Sequence, residues 1–167
     1  MTTVLLLYDS RGGLVEDLAS AIAEGVRAVP GAELLDRRLD RAQYADLLRC
    51  DALILGSPNW TGMTGKLKQW TDESGDLWET GELAGKPAAA FTAGYSVSGG
   101  IEATLLQLFH LLVGHGMIFV GLPWSELMRR SGSYYGATAH GNVTDDDRAQ
   151  ARALGQRVAE IAVRLGR

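Results

Sequence analysis

Residues 4–16 read VLLLYDSRGGLVE, and this stretch decides the fold. A short apolar run leads into a polar turn with two glycines, and apolar residues then recur every fourth position at Leu14, Leu18, Ile22 and Val26. A run this short is typical of a buried parallel strand, and the fourfold spacing places the later residues on one face of a helix. The stretch therefore predicts a strand, a tight loop and a helix.

The same alternation continues along the chain. Its order predicts an α/β fold, a doubly wound five-stranded parallel sheet of order 2-1-3-4-5 with helices on both faces. The length of 167 residues suits a single domain spanning 1–167. After the first strand, Val4–Tyr8, the predicted strands are Glu33–Arg37, Ala52–Gly56, Ala88–Thr92 and Met117–Val120, with a short helix at Tyr44–Leu48.

Two later helices are predicted with distinct surfaces. The helix Ile101–Val113 has one apolar stripe on Ile101, Leu105, Leu108 and Leu112 and a second on Leu106, Phe109 and Val113. Such a helix is deeply buried or meets another subunit. The last helix is predicted to be capped by Thr144, with Arg164 and Arg167 near its end, and the segment Leu122–Asn142 before it is expected to form a lid or a subunit contact.

Charge and composition exclude several classes of protein. Sixteen Lys and Arg against twenty Asp and Glu give a net charge of −4, and no long basic run favours nucleic acid or an anionic membrane. Cys50 is the only cysteine, and the three histidines lack metal-ligand spacing, so no metal is expected. No basic leader precedes the first apolar run, which predicts a cytoplasmic protein without membrane insertion.

Three polar, glycine-bearing loops are predicted at the carboxyl edge of the sheet, where doubly wound folds bind ligands. The first loop, Asp9–Val15, offers a hydroxyl, flexible glycines and a helix start that suit a phosphate, although a strand-to-helix turn favours the same residues for geometry alone. The second loop, Gly56–Gly65, combines a flat ring with backbone donors, unless Trp60 merely covers the sheet end. The third loop, Thr92–Gly100, allows close backbone approach. Together the loops predict a flat, phosphorylated cofactor.

Other phosphate-binding patterns fail. Gly65-Lys66 is not part of a P-loop because Trp60 and Leu67 stand where that motif needs Gly and Ser or Thr. The first loop also lacks G-x-G-x-x-G, which argues against a Rossmann-type NAD site there.

Motifs along nearly the whole chain resemble one known family. They are SRGG at 10–13, GSP at 56–58, GMTG at 62–65, LW at 77–78 and HGM at 115–117. In these residues the chain resembles the flavodoxin-like FMN proteins, and among them the tryptophan-repressor-binding-protein type of NAD(P)H:quinone oxidoreductase. The resemblance implies a flavodoxin-like fold with bound FMN.

The resemblance also implies site residues. The first loop would hold the FMN phosphate through backbone N–H groups, the second and third loops would line the isoalloxazine, and a neighbouring subunit would supply Trp78 to the substrate and His115 to the flavin. His115 could instead be a simple helix cap. The residues expected to bind the cofactor are Ser10, Arg11, Gly12, Gly13, Leu14, Val15, Ser57, Pro58, Asn59, Trp60, Thr61, Gly62, Ala93, Gly94, Tyr95, Ser96, Gly99 and His115.

The chain departs from the family in three places. Its stretch between the second and third strands is shorter, Gly12 replaces an aromatic residue, and Trp60 stands where the family usually has a basic residue in a longer loop.

The implied function is an FMN-dependent oxidoreductase. A hydride would pass from NAD(P)H to the flavin and two electrons then to a quinone-like acceptor, within a homo-dimer or homo-tetramer. The chemistry belongs to the cofactor, so no catalytic acid or base is named. The alternative is a flavodoxin-like electron carrier that binds FMN without its own substrate pocket; such carriers tend to be strongly acidic, and −4 is mild. A third hypothesis is an interaction protein that keeps the fold without the flavin.

Overall fold

In the described part of the chain, six parallel strands form one sheet with helices on both faces. The computed structural model describes residues 1–166, and Arg167 lies outside the described residues. The elements are β1 (Thr2–Tyr8), α1 (Leu14–Arg27), β2 (Ala32–Arg38), α2 (Tyr44–Arg49), β3 (Ala52–Pro58), α3 (Gly65–Glu73), α4 (Gly75–Thr80), β4 (Pro87–Gly94), α5 (Ile101–Gly114), β5 (Ile118–Phe119), β6 (Ala137–His140) and α6 (Asp145–Arg164), with short 3-10 turns at Leu39–Arg41 and Glu126–Arg129.

The sheet order β2-β1-β3-β4-β5 confirms the predicted topology. Within residues 1–166 a sixth strand is present in addition to the five predicted, because the edge position beside β4 is divided between two strands. β5 pairs with the start of β4 at Pro87 and Ala88, and β6 pairs with its end from Phe91 to Gly94. The sixth strand was missed because its sequence, ATAH, has no apolar run.

The segment Leu122–Asn142 therefore contributes to the sheet rather than forming only a lid or a subunit contact. The segment reaches the sheet again at Gly136. This residue has a φ of 145°, and a Cβ there would overlap the carbonyl oxygen of Ala90. An L-residue avoids both that conformation and that contact, so glycine lets β6 begin directly beside β4.

α1 and α6 cover one face of the sheet and meet backbone to backbone. A Cβ on Gly25 would overlap the carbonyl oxygen of Arg152, and one on Gly155 would overlap that of Ile22. Thr144 caps α6 as predicted: its Oγ1 accepts the N–H of Asp147 at 3.2 Å, and the Asp147 carboxylate accepts the N–H of Thr144 at 2.8 Å. Close crossing and capping make this face a well-packed layer.

α5 packs on the opposite face with one stripe only. Ile101, Leu105, Leu108 and Leu112 are buried, whereas the second stripe reaches the surface, with Leu106 42% and Val113 45% exposed. None of the helices within residues 1–166 combines the length and the apolar character needed to cross a membrane.

Candidate cofactor site

Two side chains tie the three loops together at the carboxyl edge of the sheet. Thr64 donates its hydroxyl to the Asp9 carboxylate of the first loop, and its N–H donates to Ser57 Oγ at 3.0 Å. Asn59 donates from Nδ2 to the carbonyl of Gly99 in the third loop at 2.7 Å. The three loops therefore form one continuous surface rather than three separate turns.

The first loop presents backbone N–H groups at the start of α1. Ser10 is buried, and its Oγ accepts the N–H of Gly12 at 2.9 Å, which closes the turn. Gly12 and Gly13 have φ values of 96° and 79°, and within residues 1–166 a Cβ on either would meet no atom within 4 Å. Among the same residues, no side chain caps α1. The N–H groups of Leu14 and Val15 therefore have no partner inside the helix. Free N–H groups at the start of a helix commonly bind phosphate oxygens in proteins.

The second loop continues directly from β3. Buried Ser57 accepts, through its carbonyl, the hydroxyl of Thr92 at 2.7 Å, and beyond Pro58 the N–H of Asn59 donates to Ala93 at 2.8 Å. These bonds extend the pairing of β3 and β4 to the edge of the sheet. The second and third loops consequently leave the sheet side by side.

Next comes a tight turn at Trp60–Gly62, in which the N–H of Trp60 donates to the carbonyl of Gly62 at 2.9 Å. Thr61 has a φ of 57°, which places it in the left-handed region that a threonine seldom adopts. The guanidinium of Arg11 lies 4.7 Å from the centre of the Trp60 ring, so a cation–π contact links the first and second loops.

The third loop is more exposed and carries an aromatic side chain. Tyr95 is 88% exposed, and the loop closes through the N–H of Gly99, which donates to Ser96 at 3.1 Å. Gly94 lies close to the second loop, because a Cβ there would stand 3.1 Å from Asn59 Nδ2. Together these loops offer backbone groups, hydroxyls and two rings around an open edge.

The surroundings of the first loop carry charges of both signs. Burial, together with the nearby Asp36 and Glu16 carboxylates, raises the pKa of Tyr8 to about 12, so this phenol stays neutral. Glu16 pairs with Arg38 at 3.0 Å. A cleft of about 530 Å³ opens beside the loop towards α3, and its basic residues Arg11, Arg38 and Lys66 face the acidic residues Asp9, Glu16, Asp40 and Glu73.

Two predicted site residues, His115 and Trp78, lie near the amino ends of the strands, away from the three loops. α5 runs from the third loop back to His115, which lies near the start of β5, and β5 pairs with the first residues of β4. Trp78 lies on α4, between the end of α3 and the start of β4, and is 62% exposed. Within one chain, the topology separates both residues from the three loops.

Three residues that hold the loops were missed by the sequence analysis. Thr64 caps α3, with Oγ1 accepting the N–H of Leu67 at 3.3 Å, while it also contacts the first loop. Thr104 donates its hydroxyl to Asn59 Oδ1 at 2.8 Å, and Gln107 accepts the N–H of Met63 at 2.8 Å. A threonine before a predicted helix was a usable signal for the cap, whereas the two contacts from α5 depend on tertiary packing.

The profile of the NADPH-dependent FMN reductase family matches residues 39–127, just over half of the chain. An NAD(P)H dehydrogenase (quinone) of Archaeoglobus fulgidus is 37% identical over 191 aligned positions, covering 99% of this chain and 100% of the relative. One of the same name from Gluconacetobacter diazotrophicus is 39% identical, with 99% of each chain covered. These alignments exceed the 167 residues of this chain, so the relatives contain insertions.

A solved structure shows the same architecture. The flavodoxin, WrbA-like protein from Agrobacterium tumefaciens superposes with a TM-score of 0.80 at 27% identity, covering 98% of this chain and 99% of that chain. Sheet order and loop placement thus define a flavodoxin-like α/β protein. The chain belongs to the NADPH-dependent FMN reductase family and is similar over its full length to NAD(P)H dehydrogenases (quinone).

Proposed function

We propose that this protein is an FMN-dependent oxidoreductase that transfers electrons from NAD(P)H to a quinone-like acceptor. The observation that carries the proposal is the uncapped start of α1 behind a turn with two positive-φ glycines, beside two further loops at the same sheet edge. The names of the full-length relatives supply the electron donor and the acceptor.

The first loop fits the phosphate of FMN. The N–H groups of Gly13, Leu14 and Val15 would bind the phosphate oxygens. Ser10 keeps the turn closed, and Arg11 adds a positive charge. Gly12 contributes open space, since a side chain there would cover the approach to the helix start.

The second and third loops are to hold the flat ring system of FMN. When bound, this ring supplies the two-electron chemistry between a nicotinamide and a quinone. Trp60 would pack against the ring, and backbone groups of the two loops would bind its polar edge and shield part of it from water. The residues proposed for this role are Ser57, Pro58, Asn59, Trp60, Thr61, Gly62, Ala93, Gly94, Tyr95, Ser96 and Gly99.

The proposed assembly is a homo-dimer or homo-tetramer in the cytoplasm. The exposed apolar stripe of α5, with Leu106 and Val113, gives such contacts a surface. Trp78 and His115 are separated from the loops of their own chain, so their proposed roles towards quinone and flavin require a neighbouring subunit.

The test is the visible absorption spectrum of the protein reconstituted with FMN, washed free of excess and titrated anaerobically with NADH or NADPH. Retained flavin that bleaches directly to the two-electron reduced form supports the oxidoreductase and identifies the nucleotide. Addition of a soluble quinone should then restore the oxidised spectrum.

Other outcomes separate the alternatives. Flavin that is retained but not reduced by either nucleotide would replace this proposal with an electron carrier. Absence of retained flavin would contradict the assigned site. An Arg11→Ala variant with weaker FMN binding but unchanged riboflavin binding would assign that side chain to the phosphate.

A further inference from the structure

α5 holds the second loop at two points. Thr104 binds the side chain of Asn59 at the beginning of the turn, and Gln107, one helical turn further along α5, binds the N–H of Met63 at its end. The intervening turn at Trp60–Gly62 is thereby fixed between two contacts from one helix.

The peptide unit between Gly62 and Met63 is bonded on both sides. Its carbonyl accepts the N–H of Trp60 at 2.9 Å, and its N–H donates to Oε1 of Gln107 at 2.8 Å. The Gln107 amide also packs against Gly62, where a Cβ would lie 2.7 Å from Oε1. Rotation of this peptide would break both hydrogen bonds, and glycine is what allows the amide to approach.

The bonds leave other groups free. Within residues 1–166, the N–H groups of Thr61 and Gly62 make no hydrogen bond to protein atoms. They belong to the turn that the FMN ring is proposed to contact, so their direction determines which atoms of that ring they can reach.

We propose that Gln107 is a positioning residue for the FMN site, holding the Gly62–Met63 peptide so that the turn at Trp60–Gly62 keeps one conformation. This inference rests on the proposed function, because it requires the second loop to bind FMN. Gln107 acts through the loop and is not itself a catalytic residue.

The position of Gln107 makes it suitable for substitution. Gln107 is exposed on α5. Of its neighbours in the sequence, Leu108 is buried and Leu106 is exposed. Replacing Gln107 by leucine keeps a helix-forming residue of similar size and removes the acceptor. Replacing it by glutamate keeps an oxygen that can accept the N–H of Met63.

The experiment measures FMN binding by quenching of flavin fluorescence and the visible circular dichroism of the bound flavin. Gln107→Leu should raise the Kd for FMN roughly five- to tenfold, the loss expected when one hydrogen bond no longer holds the loop. It should also change the dichroism, which reports the surroundings of the ring. Gln107→Glu should restore both, and the melting temperature of the apoprotein should be unchanged in each variant.

Gln156→Leu is the matched control, since Gln156 is an exposed glutamine on α6 whose amide bonds Glu160 at 2.8 Å. It should bind FMN as the wild type does. If Gln107→Leu binds FMN with wild-type Kd and dichroism, or Gln107→Glu fails to restore them, the positioning role is wrong while the proposed function stands. If the wild-type protein itself does not bind FMN, both fall.

Discussion

The two faces of the sheet differ in how completely their helices are packed. On the closed face, α1 and α6 meet at Gly25 and Gly155 with no room for a Cβ. On the open face, α5 exposes its second apolar stripe and α4 exposes Trp78. Yet two side chains that hold the first and second loops, Thr64 before α3 and Gln107 on α5, belong to the open face. The closed face thus supplies the start of α1 behind the first loop, whereas the open face supplies side chains that hold the second loop.

The largest effect is expected where the closed face would be forced apart. Gly25→Ala should lower the free energy of unfolding by about 3 kcal/mol, because its Cβ would overlap the Arg152 carbonyl and helical backbone cannot yield locally. Urea unfolding followed by circular dichroism measures the loss.

The matched control is Gly114→Ala at the end of α5. A Cβ there meets no atom of the described residues within 4 Å, so the variant should be as stable as the wild type or slightly more stable. Equal stability of Gly25→Ala and Gly114→Ala would remove the distinction between a closed and an open face.

A smaller loss is expected at the cap that joins the open face to the loops. Thr64→Ala should lower the free energy of unfolding by about 1 kcal/mol, since it removes the N-cap of α3. It should also weaken FMN binding, because the Asp9 carboxylate loses its contact with Thr64. Thr64→Ser keeps the oxygen and should retain both properties; if it resembles Thr64→Ala, the hydroxyl is not what holds the loops.

Local pattern was sufficient to predict most of the fold. The strands β1, β3 and β4 contain short apolar runs, and the helices α1, α5 and α6 have apolar residues at four-residue spacing. β6 was missed because its sequence, ATAH, has no apolar run. The strand can begin beside β4 because Gly136 has no side chain, and no periodic pattern in the sequence indicates that contact.

The meeting of the three loops was predictable from the sequence, whereas the side chains that support them were not. The carboxyl ends of parallel strands share an edge, so the meeting of the three loops follows from topology. The bond between Gln107 and Met63 joins residues 44 positions apart and depends on how α5 packs. No periodicity within either segment could have indicated it.

On the open face, a substitution in the exposed apolar stripe of α5 should change the free energy of unfolding by less than the two substitutions above. Leu106→Glu should alter the free energy of unfolding of one chain by no more than about 0.5 kcal/mol, because the side chain is 42% exposed. If this stripe is a subunit contact, the same variant should reduce the mass measured by light scattering. Ala153→Glu adds the same charge at an exposed position of α6, on the other face of the sheet, and serves as the control for the assembly. A wild-type protein that is monomeric would contradict the contact.

The smallest expected effect concerns His115, at the inner end of the open face. Burial lowers its pKa below the usual 6.5, and its Nδ1 has no hydrogen-bond partner within residues 1–166. The unfolded chain therefore binds a proton more readily than the folded chain, so stability should fall as the pH drops below about 6.5. His115→Gln should lose less stability than the wild type between about pH 7.5 and about pH 5.5, measured by urea unfolding at each pH. Identical pH profiles for the wild type and His115→Gln would mean that the imidazole of His115 is hydrated in the folded protein. The open face would then include the surface between this end of α5 and the sheet.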